Sequence, residues 1–223
     1  MRLPVIFALA SLTVSAAGAQ SPVDAAIDRA VAAYGKTKTA RATFEQTITN
    51  PLTGTVVTSK GEFQQQQPNR FSFRFTDPKG DLIVSDGRAM WIYLPSTNPG
   101  QVIKMPVGAD GAGSLDLMSQ FFKSPRARFT ITDAGADTVA GRATRALVLQ
   151  PKSEASNFTR AKIWIDDRDG TLRQFESVEQ SGLKRLVTIS RIALNVPVDA
   201  KAFTFLVPKG VKVFDQEALT GSR

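Results

Sequence analysis

From about Arg41 onward, apolar and polar residues alternate at a two-residue period in one segment after another. The stretch NRFSFRFT, residues 69–76, is the clearest case: Phe71, Phe73 and Phe75 alternate with Arg70, Ser72, Arg74 and Thr76. Successive strand side chains point to opposite faces, so this pattern is a β-strand with one aromatic side. Its aromatic face has two readings: an ordinary core, or the wall of a space kept open for something apolar. Similar runs are ARATFEQTIT, TVVTSKGEFQQQQ, DLIVSDGRAMWIYLP, TVAGRATRALVLQP, FTRAKIWIDDRDG, TLRQFESVEQSG and LKRLVTISRIALN. Short turns separate them. Asp86-Gly87 suits a tight hairpin with positive φ, and Asp167 to Gly170 and Ser181-Gly182 separate later strands. DAKAFTF and VKVF end the strand series. Closely spaced meander strands predict one large antiparallel sheet of about eleven strands. A sheet that wide must curl, and helices must cover its apolar face.

Two segments depart from this period. Ser21-Pro22 reads as a helix cap followed by proline at the first turn. Val23, Ile27, Ala30, Val31 and Tyr34 then form an apolar helical stripe, with Gly35 as its stop. Later, GADGAGSLDLMSQFFKSPRA places Leu115, Leu117, Met118, Phe121 and Phe122 in one short apolar helix, bounded by glycines before it and Pro125 after it. Ordinary packing and a movable flap are both open for this helix. The fold class expected is α+β, mainly β.

The first residues are expected to lie outside the fold. MRLPVIFALASLTVSAAGAQ carries an early Arg2, an apolar run too short to span a membrane, and a small-x-small site at Ala17-Gly18-Ala19. This is the pattern of a secretory signal peptide over residues 1–19, leaving residues 20–223 as one mature domain.

Composition removes most chemistries. The chain of 223 residues has no cysteine and no histidine. Disulfides, thiol nucleophiles and thiolate metal sites are excluded, as are imidazole bases and imidazole metal ligands. An acyl anchor on a cysteine is excluded too. No G-x-S-x-G elbow, Walker loop or dinucleotide fingerprint occurs. Asp166, Asp167 and Asp169 with Gly170 read as a hairpin turn rather than a calcium loop, because the spacing to a terminal glutamate is missing. Glu176 and Glu179, three apart in a strand, are a poor catalytic pair. No enzyme, metal or cofactor is expected. The net charge of +8 reads as a solvated basic surface, or as one that favours anionic membranes or acidic partners, with no nucleic-acid motif.

Taken in order, ARATFEQTIT, GEFQQQQPNRFSFRF, LIVSDGRAMWIYLP, RDGTLRQFESVEQ and VDAKAFTFLVPKGVKVFDQ closely resemble the outer-membrane lipoprotein carrier proteins of the LolA family. The resemblance runs from about residue 23 to residue 216. It implies an unclosed, curved antiparallel β-barrel with a lid of short α-helices over a hydrophobic cavity. It also implies a soluble, monomeric periplasmic carrier that shields lipoprotein acyl chains. The implied partners are tri-acylated lipoproteins, an inner-membrane ABC transporter of the LolCDE type, and the outer-membrane receptor LolB or a substitute. A module of the same fold that carries other lipids or senses lipoproteins is the alternative. Carried over by position, Phe71, Phe73 and Phe75 fall where the family lines its cavity. Leu115, Leu117, Met118, Phe121 and Phe122 fall on the lid, and Val23, Ile27 and Val31 on a covering helix. The family's basic lid-latching residue before the proline is Gln67 here, so Gln67, Arg70 and Arg74 are the latch candidates.

Overall fold

The structure is a computed structural model and describes residues 20–107, 119–154 and 156–215. Helix α1, Pro22–Lys36, begins as the sequence predicts: the Ser21 hydroxyl accepts the Asp24 N–H at 3.1 Å, and proline opens the first turn. The helix runs through Gly35 and ends one residue later, where the Thr37 N–H donates to the Tyr34 carbonyl. Ala26, Ile27 and Ala30 are its buried face.

A first meander follows: β1 Thr39–Thr49, β2 Val56–Gln66, β3 Arg70–Asp77, β4 Lys79–Asp86, β5 Ala89–Tyr93 and β6 Gln101–Pro106. Short helices α2, Ser119–Phe122, and α3, Pro125–Arg128, lead to a second meander. It comprises β7 Phe129–Val139, β8 Arg142–Pro151, β9 Phe158–Asp166, β10 Leu172–Glu179 and β11 Lys184–Leu194. A 3₁₀ helix, Ala200–Phe203, precedes β12, Lys212–Asp215. The strands form one sheet in the order β12-β6-β5-β4-β3-β2-β1-β11-β10-β9-β8-β7. The β1–β11 pairing joins the two meanders, while β12 and β7 remain at opposite edges, so the sheet is unclosed. Residues of β3 and β5 nevertheless share a cavity with Phe158 of β9, which requires a strongly curled sheet.

The expected architecture is present, with four local corrections. The described residues form twelve strands, against about eleven expected. The last strand β12, the VKVF segment expected as a strand, runs parallel rather than antiparallel to its neighbour β6, held in part by Lys104 Nζ at 2.8 Å from Asp215. DAKAFTF is no strand, because the Asp199 carboxylate accepts the Lys201 N–H and starts the 3₁₀ helix instead. Pro125 does not close the helical insertion: it occupies the first turn of α3, where its missing N–H costs nothing.

Turn chemistry follows the sequence. The Asp86 carboxylate accepts the N–H groups of Arg88 and Ala89, and Gly87 takes a φ of 95°. The Asp167-to-Gly170 turn joins β9 to β10, with Asp166 fully buried beneath it. Asp166 accepts from Arg142 at 2.7 Å and from Arg173 at 2.9 Å, and from the backbone N–H groups of Arg168 and Asp169. Burial opposes its charge, but these hydrogen bonds and the Arg173 charge hold its pKa well below the ordinary carboxylate value. No cluster of three potential metal-ligating side chains occurs among the described residues. Among them, too, no helix is long and apolar enough to cross a membrane.

Candidate functional site

The strand parity seen in NRFSFRFT places Phe71, Phe73 and Phe75 on the concave face of the sheet. Phe44 on β1 meets Phe73 and Phe75 edge-on, with ring centroids 5.6 and 5.4 Å away. Phe63 on β2 lies 4.7 Å from Phe73, and Phe71 lies 6.0 Å from it. Edge-to-face contacts of this kind add to burial and lock ring orientation. A second aromatic group forms opposite: Phe121 on α2 stands 5.3 Å from Phe175 and 5.9 Å from Phe158.

Between the two groups lies a cavity of about 330 Å³. Phe44, Phe73, Phe75, Ile83 and Ile92 line one side; Phe158, Phe175 and Val187 line the other. Gln120 of α2 reaches its edge, and Gln46, Asn157, Ser177, Glu179 and Arg185 form a polar border. An apolar space bordered by a few hydrogen-bonding groups is built to hold an amphiphile.

The sequence candidates are distributed unevenly around this space. Phe73 and Phe75 line it directly. Phe71 is fully buried in the aromatic cluster beside it and is not among its lining residues. Phe121 and Phe122 are buried on α2, packed on the same core. Leu115, Leu117 and Met118 lie outside the described residues. Ile27 is buried in the core and Val23 and Val31 pack against it. Val23 and Ile27 also border a separate cleft beside Arg126 and Phe129.

The latch candidates reach elsewhere. Gln67 engages through its backbone, its N–H donating to the Lys38 carbonyl at 2.9 Å. Arg70 Nε donates to the Asp86 carbonyl at 3.2 Å, and Arg74 Nη2 to the Ala202 carbonyl at 3.3 Å. The contact that ties α3 to α1 comes instead from Arg126. Its guanidinium donates to Asp24 at 2.9 Å and to Asp28 at 2.7 Å. Hydrogen bonds from Ser21 and then from Arg126 hold the Asp24 carboxyl below its ordinary pKa.

Sequence reasoning missed Phe44, Phe158, Phe175, Ile83, Ile92 and Val187, and the whole polar border. Each lies in an alternating run, but which face of a run turns inward depends on its partner strands. The sequence leaves the faces of β5 open; the structure decides them. Met90 and Ile92 turn inward, while Trp91 and Tyr93 lie outside, each with its ring 5.7 Å from Phe205. Trp164 also faces outward, packed with Val139 and Ala146, its indole N–H donating to Asp137 at 2.9 Å.

Comparison with known proteins places this geometry. Residues 35–206 match the family described as "Outer membrane lipoprotein carrier protein LolA". The chain belongs to the LolA family. A relative from Serratia proteamaculans named outer-membrane lipoprotein carrier protein is 30% identical over 181 residues, covering 81% of this chain and 83% of the relative. A Klebsiella pneumoniae protein of the same name is also 30% identical, with the same coverage. Among solved structures, an uncharacterized conserved protein from Thermus thermophilus superposes with a TM-score of 0.53 at 14% identity, covering 85% of this chain and 96% of that one. This last likeness concerns the fold alone. The family match covers the strands that build the cavity, from β1 through β11, and the helices α2 and α3 beside it.

Proposed function

We propose that this LolA-family chain is a periplasmic carrier that takes up the acyl chains of lipoproteins in the Phe44–Phe73–Phe175 cavity and releases them at the outer membrane. The observation that carries this reading is an aromatic cavity on the inner face of an unclosed sheet, bordered by a short helix. Residues 1–19 act as the export signal, removed after Ala19. Binding and release, rather than catalysis, are the whole task. The source of cargo is an inner-membrane transporter of the LolCDE type, and the acceptor is LolB or a substitute.

The energetics fit such a task. Each buried methylene is worth about 0.8 kcal/mol, so an acyl chain of roughly 15 methylenes represents on the order of 12 kcal/mol. A cavity of about 330 Å³ is small beside three such chains, in which each methylene takes up about 30 Å³, the share of a water molecule in the liquid. Three chains therefore do not fit without displacement of the helices beside the cavity. Loading then couples to movement of α2 and α3 away from the sheet. The ion pairs of Arg126 with Asp24 and Asp28 set part of the resistance to that movement.

Mass spectrometry of the protein isolated from the periplasm tests the reading. Co-purifying tri-acylated lipoprotein is the expected result. Bound free lipid alone would overturn it in favour of a lipid-binding module of the same fold.

A further inference from the structure

The cavity is apolar in depth and polar at one end; the change happens in register on β10 and β11 and one inward-facing position earlier on β1. Along β1, Phe44 gives way to Gln46; along β10, Phe175 gives way to Ser177; along β11, Val187 gives way to Arg185. Ser177 stands directly opposite Arg185 across the β10–β11 pair, and Gln46 opposite Val187 across β1–β11. Arg185 donates to the Gln46 side-chain oxygen at 3.1 Å and to Glu179 at 3.4 Å. Both charged side chains are about one-third exposed. Asn157 and Gln120 complete this end with amide groups.

The chemistry of this rim defines what it accepts. Arg185 and Glu179 cancel in charge, so the rim has many donors and acceptors but no net charge. An amphiphile with its chains in the aromatic floor presents its head here. A neutral head rich in ester and amide groups finds partners in Arg185, Gln46, Ser177 and Asn157. A phosphodiester head brings a negative charge toward Glu179 and competes with it for the same guanidinium. A like charge at a partly desolvated site is unfavourable, and a built-in repulsion is how a binding site rejects a near relative of its ligand.

We infer that Gln46, Ser177, Glu179 and Arg185 form a head-reading subsite that favours the uncharged ester–amide junction of an acylated peptide and rejects phosphate-bearing lipids. The inference rests on the carrier reading above and deepens it. It gives Glu179 a purpose that the strand pattern alone does not: a carboxylate at an apolar cavity excludes phospholipid, the most abundant competitor at any membrane the protein visits.

The test compares three fluorescent probes with matched palmitoyl chains: a tri-palmitoylated cysteinyl peptide, phosphatidylglycerol and diacylglycerol. The wild-type mature chain is expected to bind the peptide and diacylglycerol more tightly than phosphatidylglycerol. In Glu179→Gln the carboxylate becomes a neutral amide of the same shape, and phosphatidylglycerol binding is expected to rise on the order of tenfold. A thermal unfolding transition like that of the wild type shows that the variant is folded. Adding Arg185→Ala to that variant removes the gain, because the guanidinium is what the phosphate then pairs with. Unchanged discrimination in Glu179→Gln, with all three probes binding, overturns the rim inference and leaves the carrier reading standing. Failure of the wild type to bind any of the probes overturns both.

Discussion

The guanidinium of Arg126 lies 2.7 Å from the carboxylate of Asp28, and the same group reaches Asp24 one helical turn earlier. A residue in a four-residue helix thereby bridges two acids on one face of α1. Lys152 adds a second tie, its ammonium donating to the Arg126 carbonyl at 2.9 Å. The bridge is about half exposed, so water and salt weaken it. A weak tie suits the proposed loading movement of α2 and α3. Arg126→Ala is expected to speed uptake of a tri-palmitoylated peptide by no more than about fivefold, and high salt should reproduce much of the effect in the wild type. Stopped-flow fluorescence at low and high ionic strength checks both.

Phe75 is the better probe of the cavity, because it lines the space while keeping part of its ring exposed. Phe75→Glu sets a charge against the acyl chains and should weaken loading by at least about tenfold, since burying an unpaired charge costs several kcal/mol. The melting temperature should change little. Phe71 behaves differently. It is fully buried in the aromatic cluster, so Phe71→Ala should lose about 3–5 kcal/mol of stability. Denaturant unfolding beside a loading assay separates the two roles.

Gly170 allows α1 to dock on the β9–β10 turn. It adopts a φ of 71°, and a Cβ there would stand 2.6 Å from the Arg29 carbonyl oxygen. Gly170→Val is strained in its own backbone and also pushes the helix outward. A loss of about 2 kcal/mol or more is expected, with faster hydrogen exchange in α1. Gly141→Ala is also strained at its φ of 75°, but meets nothing within 4 Å and should leave α1 exchange unchanged.

Asp166 makes stability depend on acid. Its pKa in the folded chain lies below the ordinary value near 4, so the unfolded chain binds its proton first. Its contribution is complete above the unfolded pKa and is lost as pH falls below about 4 toward the folded pKa. Asp166→Asn removes that dependence and leaves buried Arg173 with its Asp169 contact but without its main partner, costing about 3 kcal/mol near neutral pH. Chemical unfolding of both proteins between pH 3 and 7 measures the two effects.

Much of this was legible in the residues. Alternation in NRFSFRFT, the Asp86-Gly87 hairpin and the Ser21-Pro22 cap are local signals, and the structure carries each as read. Local signals fail where two segments compete for one role. DAKAFTF alternates well enough for a strand, but Asp199 caps a 3₁₀ turn that lays Phe203 and Phe205 over the outer side of the first meander. Arg126 had no pattern to betray it: one arginine in a basic chain acquires a role only when α3 is set beside α1.

By itself, the sequence determined the strand period, the turns, the first helix and the absence of any thiol or imidazole chemistry, because each depends on residues close together in the chain. Tertiary structure alone decided which face of each strand turns inward. It also decided that Phe44, Phe73 and Phe175 enclose one cavity, and that Arg185 meets Gln46 at its rim. Those outcomes depend on the order of strands in the sheet and its curl, and they join residues more than a hundred positions apart.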